Sequence, residues 1–186
     1  MARLLGSNIM LREYQKEDFE EIRKWVNDSE TVVNLDKEFV FPHTEKVTES
    51  FLNERLEDNN PNYKGFVIAD MKTEEYIGQI DLMDIDWINR TATLGIIIGS
   101  KKNRGKGIGT EAIKLLQEFA FNRLNLHRLE LALRDYNLNG YHCYVKCGFK
   151  EEGRKRQNLF ILGRYTDTIL MSILKKEYLE KRAYKV

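Results

Sequence analysis

Apolar positions recur along this chain with two periods, and the switches between them mark out its elements. Ile9-Met10-Leu11-Arg12 reads as a short strand. Phe19, Ile22, Trp25 and Val26 then repeat at helical spacing behind Asp18, and Glu21 stands three residues on from Asp18, as a capping box requires. Asn27-Asp28-Ser29 ends that helix, and 31–42 is irregular. Thr44 is placed to cap a second helix with Val47, Phe51, Leu52 and Leu56 on one side. After a loop at 58–62 the period drops to that of strands: the apolar run 65–69, a hairpin turn at 71–75, a return strand at 76–83 and another at 91–98, together a predicted antiparallel meander.

Helical spacing returns with Ile108, Ala112, Leu115, Leu116, Phe119 and Leu124. Leu129, Leu131 and Leu133 then alternate as a strand, 138–146 reads as a short helix, Phe149 and 166–174 supply further strands, and 175–182 is a charged helix. The order β α α β β β α β α β β predicts a mixed α/β (α+β) fold. It has a central, mostly antiparallel sheet with one β-α-β crossover and helices on both faces.

Composition narrows the function classes. The 186 residues suit one domain, and a hydrophobic share of 42% allows a core without staples. Lys+Arg 30 against Asp+Glu 29 lacks the basic excess of a general nucleic-acid binder. Cys143 and Cys147, spaced i,i+4, fit one helix face as two small buried or half-buried side chains, neither a disulfide nor a zinc site. The start of the chain does not read as a signal peptide, and no stretch approaches the ~18 apolar residues of a membrane span, so the expected setting is cytoplasmic.

The chemistry is expected at 99–110, where a strand enters a glycine-rich turn that opens a long helix. Glycines let backbone approach a ligand, and the uncapped amides and dipole of a helix start favour an anion. Lys101, Lys102, Arg104 and Lys106 add positive charge, so the expected guest is a phosphate or diphosphate. A P-loop fails, because five residues rather than four separate Gly99 from Gly105-Lys106, and Gly107 follows where Ser or Thr is needed. A dinucleotide fingerprint fails at Thr110, which takes the place of its third glycine. Arg104, Gly107 and Gly109 fit the remaining pattern, Arg/Gln-x-x-Gly-x-Gly/Ala, in full.

With that turn the chain resembles the GNAT superfamily of acetyl-CoA-dependent N-acetyltransferases. Asn137 followed by Tyr144-Val145-Lys146-Cys147-Gly148-Phe149 resembles the family's downstream Asn and Y-x-x-x-G-F, and Leu11-Arg12, Asp18 and Trp25 resemble its opening. The likeness is greatest to the branch of ribosomal-protein N-terminal and spermidine N-acetyltransferases. It departs at Ala92-Thr93-Leu94-Gly95, where many relatives carry Ala-Glu-x-Gly with the Glu proposed as base.

The resemblance implies a single acetyltransferase domain over 1–186. Residues 1–62 would form the acceptor side, 63–150 the acetyl-CoA-binding core and 151–186 the C-terminal strands and helix. Acetyl-CoA, as co-substrate, would lay its diphosphate on Arg104, Gly105, Lys106, Gly107, Ile108, Gly109 and Thr110. Its pantetheine arm would run along Ile96, Ile97 and Ile98, with Asn137 and Lys146 adding contacts. Tyr144, whose phenol has a reference pKa of ~10 against ~8.5 for a thiol, would protonate the leaving thiolate. Glu38, Asp81 and Asp84 are candidates to bind a cationic amine, and one of the carboxylates near 81–86 to take its proton; His142 is a weaker candidate base. The acceptor would be a small-molecule or peptide amine, and a homodimer through the sheet edge or the C-terminal strands is conceivable. Two readings compete with catalysis: a CoA-binding regulatory module of the same fold, and a nucleic-acid module using 101–106.

Overall fold

A computed structural model describes residues 3–35, 39, 41–161 and 163–183. Eight strands form one sheet: β1 (Leu4–Leu5), β2 (Ile9–Arg12), β3 (Lys64–Asp70), β4 (Tyr76–Asp86), β5 (Thr91–Ile98), β6 (Arg128–Arg134), β7 (Lys150–Ile161) and β8 (Arg164–Leu174). They lie in the order β1-β2-β3-β4-β5-β6-β8-β7, and every neighbouring pair is antiparallel except β5 and β6. The mixed sheet expected from the element order is therefore present, with its one parallel step at the crossover.

Helices cover both faces. α4 (Ile108–Glu118), α5 (Leu138–Cys147) and α6 (Lys175–Ala183) contribute to a large core with Leu11, Phe66, Ile68, Ile80, Leu82, Leu129, Leu131 and Met171. α1 (Phe19–Val26) and α3 (Glu45–Glu57) cover the opposite face over Met10, Val67 and Ala69, and the short α2 (Ser29–Val32) follows α1. β3 is buried on both sides, which is why 66–69 reads as an unbroken apolar run.

Several expectations change. Asp18 is the N-cap of α1 but makes no side-chain cap bond. It instead takes two bonds from Arg12, at 2.9 and 2.7 Å, in a buried pair that ties β2 to α1. The long helix stops at Glu118 and continues as a wider turn over Phe119–Arg123. β7 covers twelve residues where only Phe149 had pointed to a strand. Its charged sequence shows no alternation because both its faces are largely exposed, and pairing with β8 alone makes it a strand. β1 and α2, of two and four residues, are too short to show a period. Among the described residues no helix is long and apolar enough to cross a membrane.

Candidate active site

The site begins where the sheet divides. β5 pairs with β6 only at Thr91, Ala92 and Thr93. Beyond Thr93, β5 stays with β4 as far as Ile98, while β6 stays with β8 as far as Arg134. The two strands splay, and a cleft of about 750 Å³ opens there. Thr93, Gly95, Ile96 and Ile97 line one side, and Ala132, Arg134, Asn137 and Tyr144 the other. Ile96, Ile97 and Ile98 are half-buried, and among the described residues their edge of β5 faces the gap without a partner strand.

The glycine turn lies at the end of β5. Gly105 and Gly107 adopt φ of +74° and +82°, and a Cβ on either would meet nothing within 4 Å. Both open on free space, and other residues would be strained there. Gly107 caps α4 without a side-chain bond, and the first helical bond runs from the Glu111 N–H to the Gly107 carbonyl. The amides of Ile108, Gly109 and Thr110 thus begin the helix uncapped, as a diphosphate would require. Gly109 differs from its two neighbours: a Cβ there would lie 3.7 Å from the Cys143 sulfur, so it serves the packing of α4 on α5.

Two of the four cations around the turn are already engaged. Arg104 donates to the Thr31 hydroxyl at 2.5 Å and to the Ile98 carbonyl at 3.3 and 3.2 Å, tying the turn to α2. Lys101 pairs with Glu30, whereas Lys102 and Lys106 are exposed.

α5 carries the downstream motif. Asn137 caps it by accepting the Gly140 N–H at 3.0 Å. Gly148 ends it at φ +102°, and the Phe149 N–H bonds back to the Tyr144 carbonyl. That reversal stacks Phe149 edge-on to Tyr144 at 5.9 Å, which explains the spacing Y-x-x-x-G-F. Burial pushes the Tyr144 phenol above its ordinary pKa, so it keeps its proton at neutral pH. Cys143 and Cys147 are free thiols; Cys143 lies 3.3 Å from the Thr110 hydroxyl. The neighbouring Cys147 thiol and the Thr110 hydroxyl favour the thiolate of Cys143 and lower its pKa against the effect of burial. Lys146 and His142 are exposed on α5, outside the cleft lining.

Of the three acidic candidates, only Asp81 reaches the cleft among the described residues. It is 7% exposed on β4, opposite Gly95 of β5. Tyr63 and Tyr14 donate to its Oδ1 at 2.6 and 3.2 Å, and Gln79 donates to its Oδ2 at 3.4 Å. Burial pushes its carboxyl up to about 6, against the pull of Tyr63, Arg55 and Tyr14. Asp84 is exposed at an irregularity between β4 and β5, with φ +50°, and does not line the cleft. Asp86 accepts the Ile88 and Asn89 amides in a turn. Glu38 lies outside the described residues.

The residues that surround Asp81 had no signal in the sequence. Tyr14, Arg55, Tyr63, Tyr76 and Gln79 come from β4 and three separate segments before it, and no motif joins them. Arg55 sits over the rings of Phe51 and Tyr63, 4.2 and 4.3 Å from their centres. Trp25, Phe39 and His43 add an aromatic wall, with Trp25 and Phe39 5.8 Å apart and Phe39 stacked on His43 at 4.9 Å.

Comparison with known proteins adds to this geometry. The family described as Acetyltransferase (GNAT) domain matches residues 8–150. The spermidine N(1)-acetyltransferase of Vibrio cholerae serotype O1 is 30% identical over 177 residues, 95% of this chain and 99% of that protein. The crystal structure of spermidine N-acetyltransferase from Vibrio cholerae in complex with CoA and spermine superposes with a TM-score of 0.82 at 31% identity, covering 94% of this chain and 99% of that one. A dodecameric structure of the same enzyme in an intermediate state gives a TM-score of 0.77 at 31% identity, covering 95% and 99% of the two chains.

Proposed function

The chain belongs to the GNAT acetyltransferase family and is an acetyl-CoA-dependent N-acetyltransferase; from that premise we propose that Asp81 and Tyr144, facing one cleft, move the protons of the transfer. The uncapped start of α4 suits the coenzyme's diphosphate. A Cβ at Gly105 or Gly107 would project into space that a ligand can occupy. The unpartnered edge of β5 at 96–98 suits the pantetheine arm, which would add to the sheet like a short strand.

An ammonium must lose a proton before its nitrogen can attack a thioester. Asp81 is suited to take it, being ionised above about pH 6 and buried at the floor of the cleft. It also answers the question raised by Thr93. Asp81 is paired with Gly95 and Met83 with Thr93, so Asp81 stands one step along the same face from the position where many relatives carry Glu. Gly95 contributes no side chain that would screen Asp81 from the cleft. When the thioester C–S bond breaks and the amide C–N bond forms, Tyr144 gives its proton to the departing thiolate, and the second proton that the nitrogen sheds restores the phenol. A strand amide near Ile97 is placed to hold the carbonyl oxygen as charge builds on it.

The observation that carries this reading is the joint presence of Asp81 and Tyr144 on the walls of one cleft beside the β5–β6 splay. For the acceptor we infer a primary amine, with a polyamine first in line because the Vibrio cholerae relative is a spermidine acetyltransferase solved with spermine. Mass-spectrometric turnover on a panel of polyamines, peptide N-termini and amino sugars tests it. Product with at least one amine is expected; CoA binding without product on any would sink the catalytic reading and favour a regulatory module.

The same proposal extends to self-association. Among the described residues β7 ends the sheet with one edge unpaired, and its neighbouring tip exposes Phe160 and Tyr165, 61% and 64% accessible and 5.1 Å apart. The dodecameric relative supports this. The two free thiols fit a reducing, cytoplasmic setting.

A further inference from the structure

We propose that two one-way hydrogen-bond chains, Trp25–Tyr76–Gln79 and Arg55–Tyr63, hold Asp81 in its ionised form and make these five residues positioning residues for amine deprotonation. The proposal rests on Asp81 as the base.

Direction is set at the far end of each chain. The indole N–H of Trp25 can only donate, and it donates to the Tyr76 hydroxyl at 2.9 Å. Tyr76 spends an acceptor site on that bond and turns its own hydrogen to the Gln79 Oε1 at 3.3 Å. The Gln79 carboxamide is thereby oriented with its oxygen towards Tyr76, and its NH₂ group points at the Asp81 Oδ2. The second chain starts from a guanidinium, which also only donates. Arg55 Nε gives its hydrogen to the Tyr63 hydroxyl at 3.1 Å, and Tyr63 passes its own to the Asp81 Oδ1 at 2.6 Å. Arg55 is fixed in this role by the Phe51 and Tyr63 rings on which it lies and by its bond to Glu54. Tyr14 adds a third donor to Oδ1.

Every donor therefore points towards Asp81, and no link can reverse without setting donor against donor or acceptor against acceptor. A carboxylate that accepts several hydrogen bonds is favoured in its charged form, whereas burial favours the neutral one. Without the donors, a carboxyl this deep would hold its proton at neutral pH and could not receive another. Oδ1 carries the two phenols and Oδ2 only the long bond from Gln79 among the described residues, which leaves Oδ2 the freer oxygen for an ammonium.

The groups facing Asp81 are few. Tyr14 follows β2, Arg55 comes from α3, Tyr63 precedes β3, and Tyr76 and Gln79 share β4 with it. The facing positions of β5, Thr93, Gly95 and Ile97, do not titrate. Asp18 and Glu21 act on Tyr76 from the α1 side. His43, Lys46, Glu54 and Arg134 line the same cleft.

The test is the pH profile of kcat/KM from pH 5 to 9 for Tyr63→Phe, Gln79→Leu, Tyr76→Phe and Trp25→Phe, with CoA affinity and Tm measured beside it. Titration of the acceptor is common to all and drops out of the differences. Loss of a donor to a carboxylate should move the acid limb up by about one pH unit in Tyr63→Phe, since such bonds to charged groups have that order of strength. Gln79→Leu should move it in the same direction by less, and Tyr76→Phe and Trp25→Phe should follow Gln79→Leu although neither touches Asp81. At pH 9 all four should approach the wild-type rate. A limb that stays in place in the folded variants, or moves down, overturns the proposal, as does a uniform loss of rate at every pH. Trp25→Phe and Tyr76→Phe serve if Tyr63→Phe does not fold. Asp81→Asn separates the two levels. If it keeps the wild-type rate and limb, the base assignment itself fails; if it abolishes the limb while Tyr63→Phe leaves the limb unmoved, only the chains fail.

Discussion

At the residue scale, Asp81 and Tyr144 owe opposite protonation states to similar surroundings. Burial raises both, and for a carboxyl that means a value of about 6, still below neutral, whereas for a phenol it means a proton that is not lost to solvent at neutral pH. One side chain can therefore take a proton and the other give one at the same pH. Tyr144→Phe should lower kcat by ~10²-fold or more while CoA affinity stays within about twofold, as steady-state kinetics and calorimetry would read. Asp81→Asn should cost a similar factor at pH 8. For the wild type, kcat/KM should fall as pH drops through about 6, because the protonated carboxyl cannot accept. Tyr144 was legible in the sequence because Gly148 and Phe149 follow it at fixed spacing. Asp81 was one of several acids near a strand end, and only the alternation along β4 and the pairing with Gly95 set it apart from Asp84 and Asp86.

At the element scale, the α4 start depends on two glycines with positive φ and a missing cap. Gly107→Ala puts a methyl group in a left-handed position at a cost of about 1 kcal/mol and into the open space where the proposal lays the diphosphate. CoA affinity should weaken by ~10-fold or more with a much smaller change in kcat at saturation, and isothermal titration measures it. An unchanged affinity would show that the coenzyme does not lie on this turn. The splay of β5 from β6 is an element-scale feature too. The sequence showed both strands, but the register that ends at Thr93 and Glu130 follows from how β6 and β8 continue together.

At the scale of the whole molecule, the N-terminal helices are pinned to the sheet. The Arg12–Asp18 pair, 3% exposed on each side, does this where β2 meets α1. Asp18→Ala would leave a buried guanidinium without its counter-charge, and chemical denaturation should show a loss of about 3–5 kcal/mol. Removing Glu13 from Arg3 at the surface should leave stability nearly unchanged, because solvent screens that pair. Replacing both Phe160 and Tyr165 by Ser should shift the assembly to smaller species in light scattering; a wild type that is monomeric at working concentration would remove the self-association proposal. The sequence by itself determined the mixed sheet, the crossover, the glycine turn and the Tyr144 motif, because each is a local pattern of period, glycine position or helix end that neighbours in the chain create together. The tertiary structure decided that Asp18 pairs with Arg12 rather than capping α1, that β7 is a strand, that Asp84 and Lys146 stay outside the cleft, and that Trp25, Tyr14, Arg55, Tyr63, Tyr76 and Gln79 converge on one carboxylate. Those are contacts between segments far apart in the chain, and a sequence records the partners without recording which of them meet.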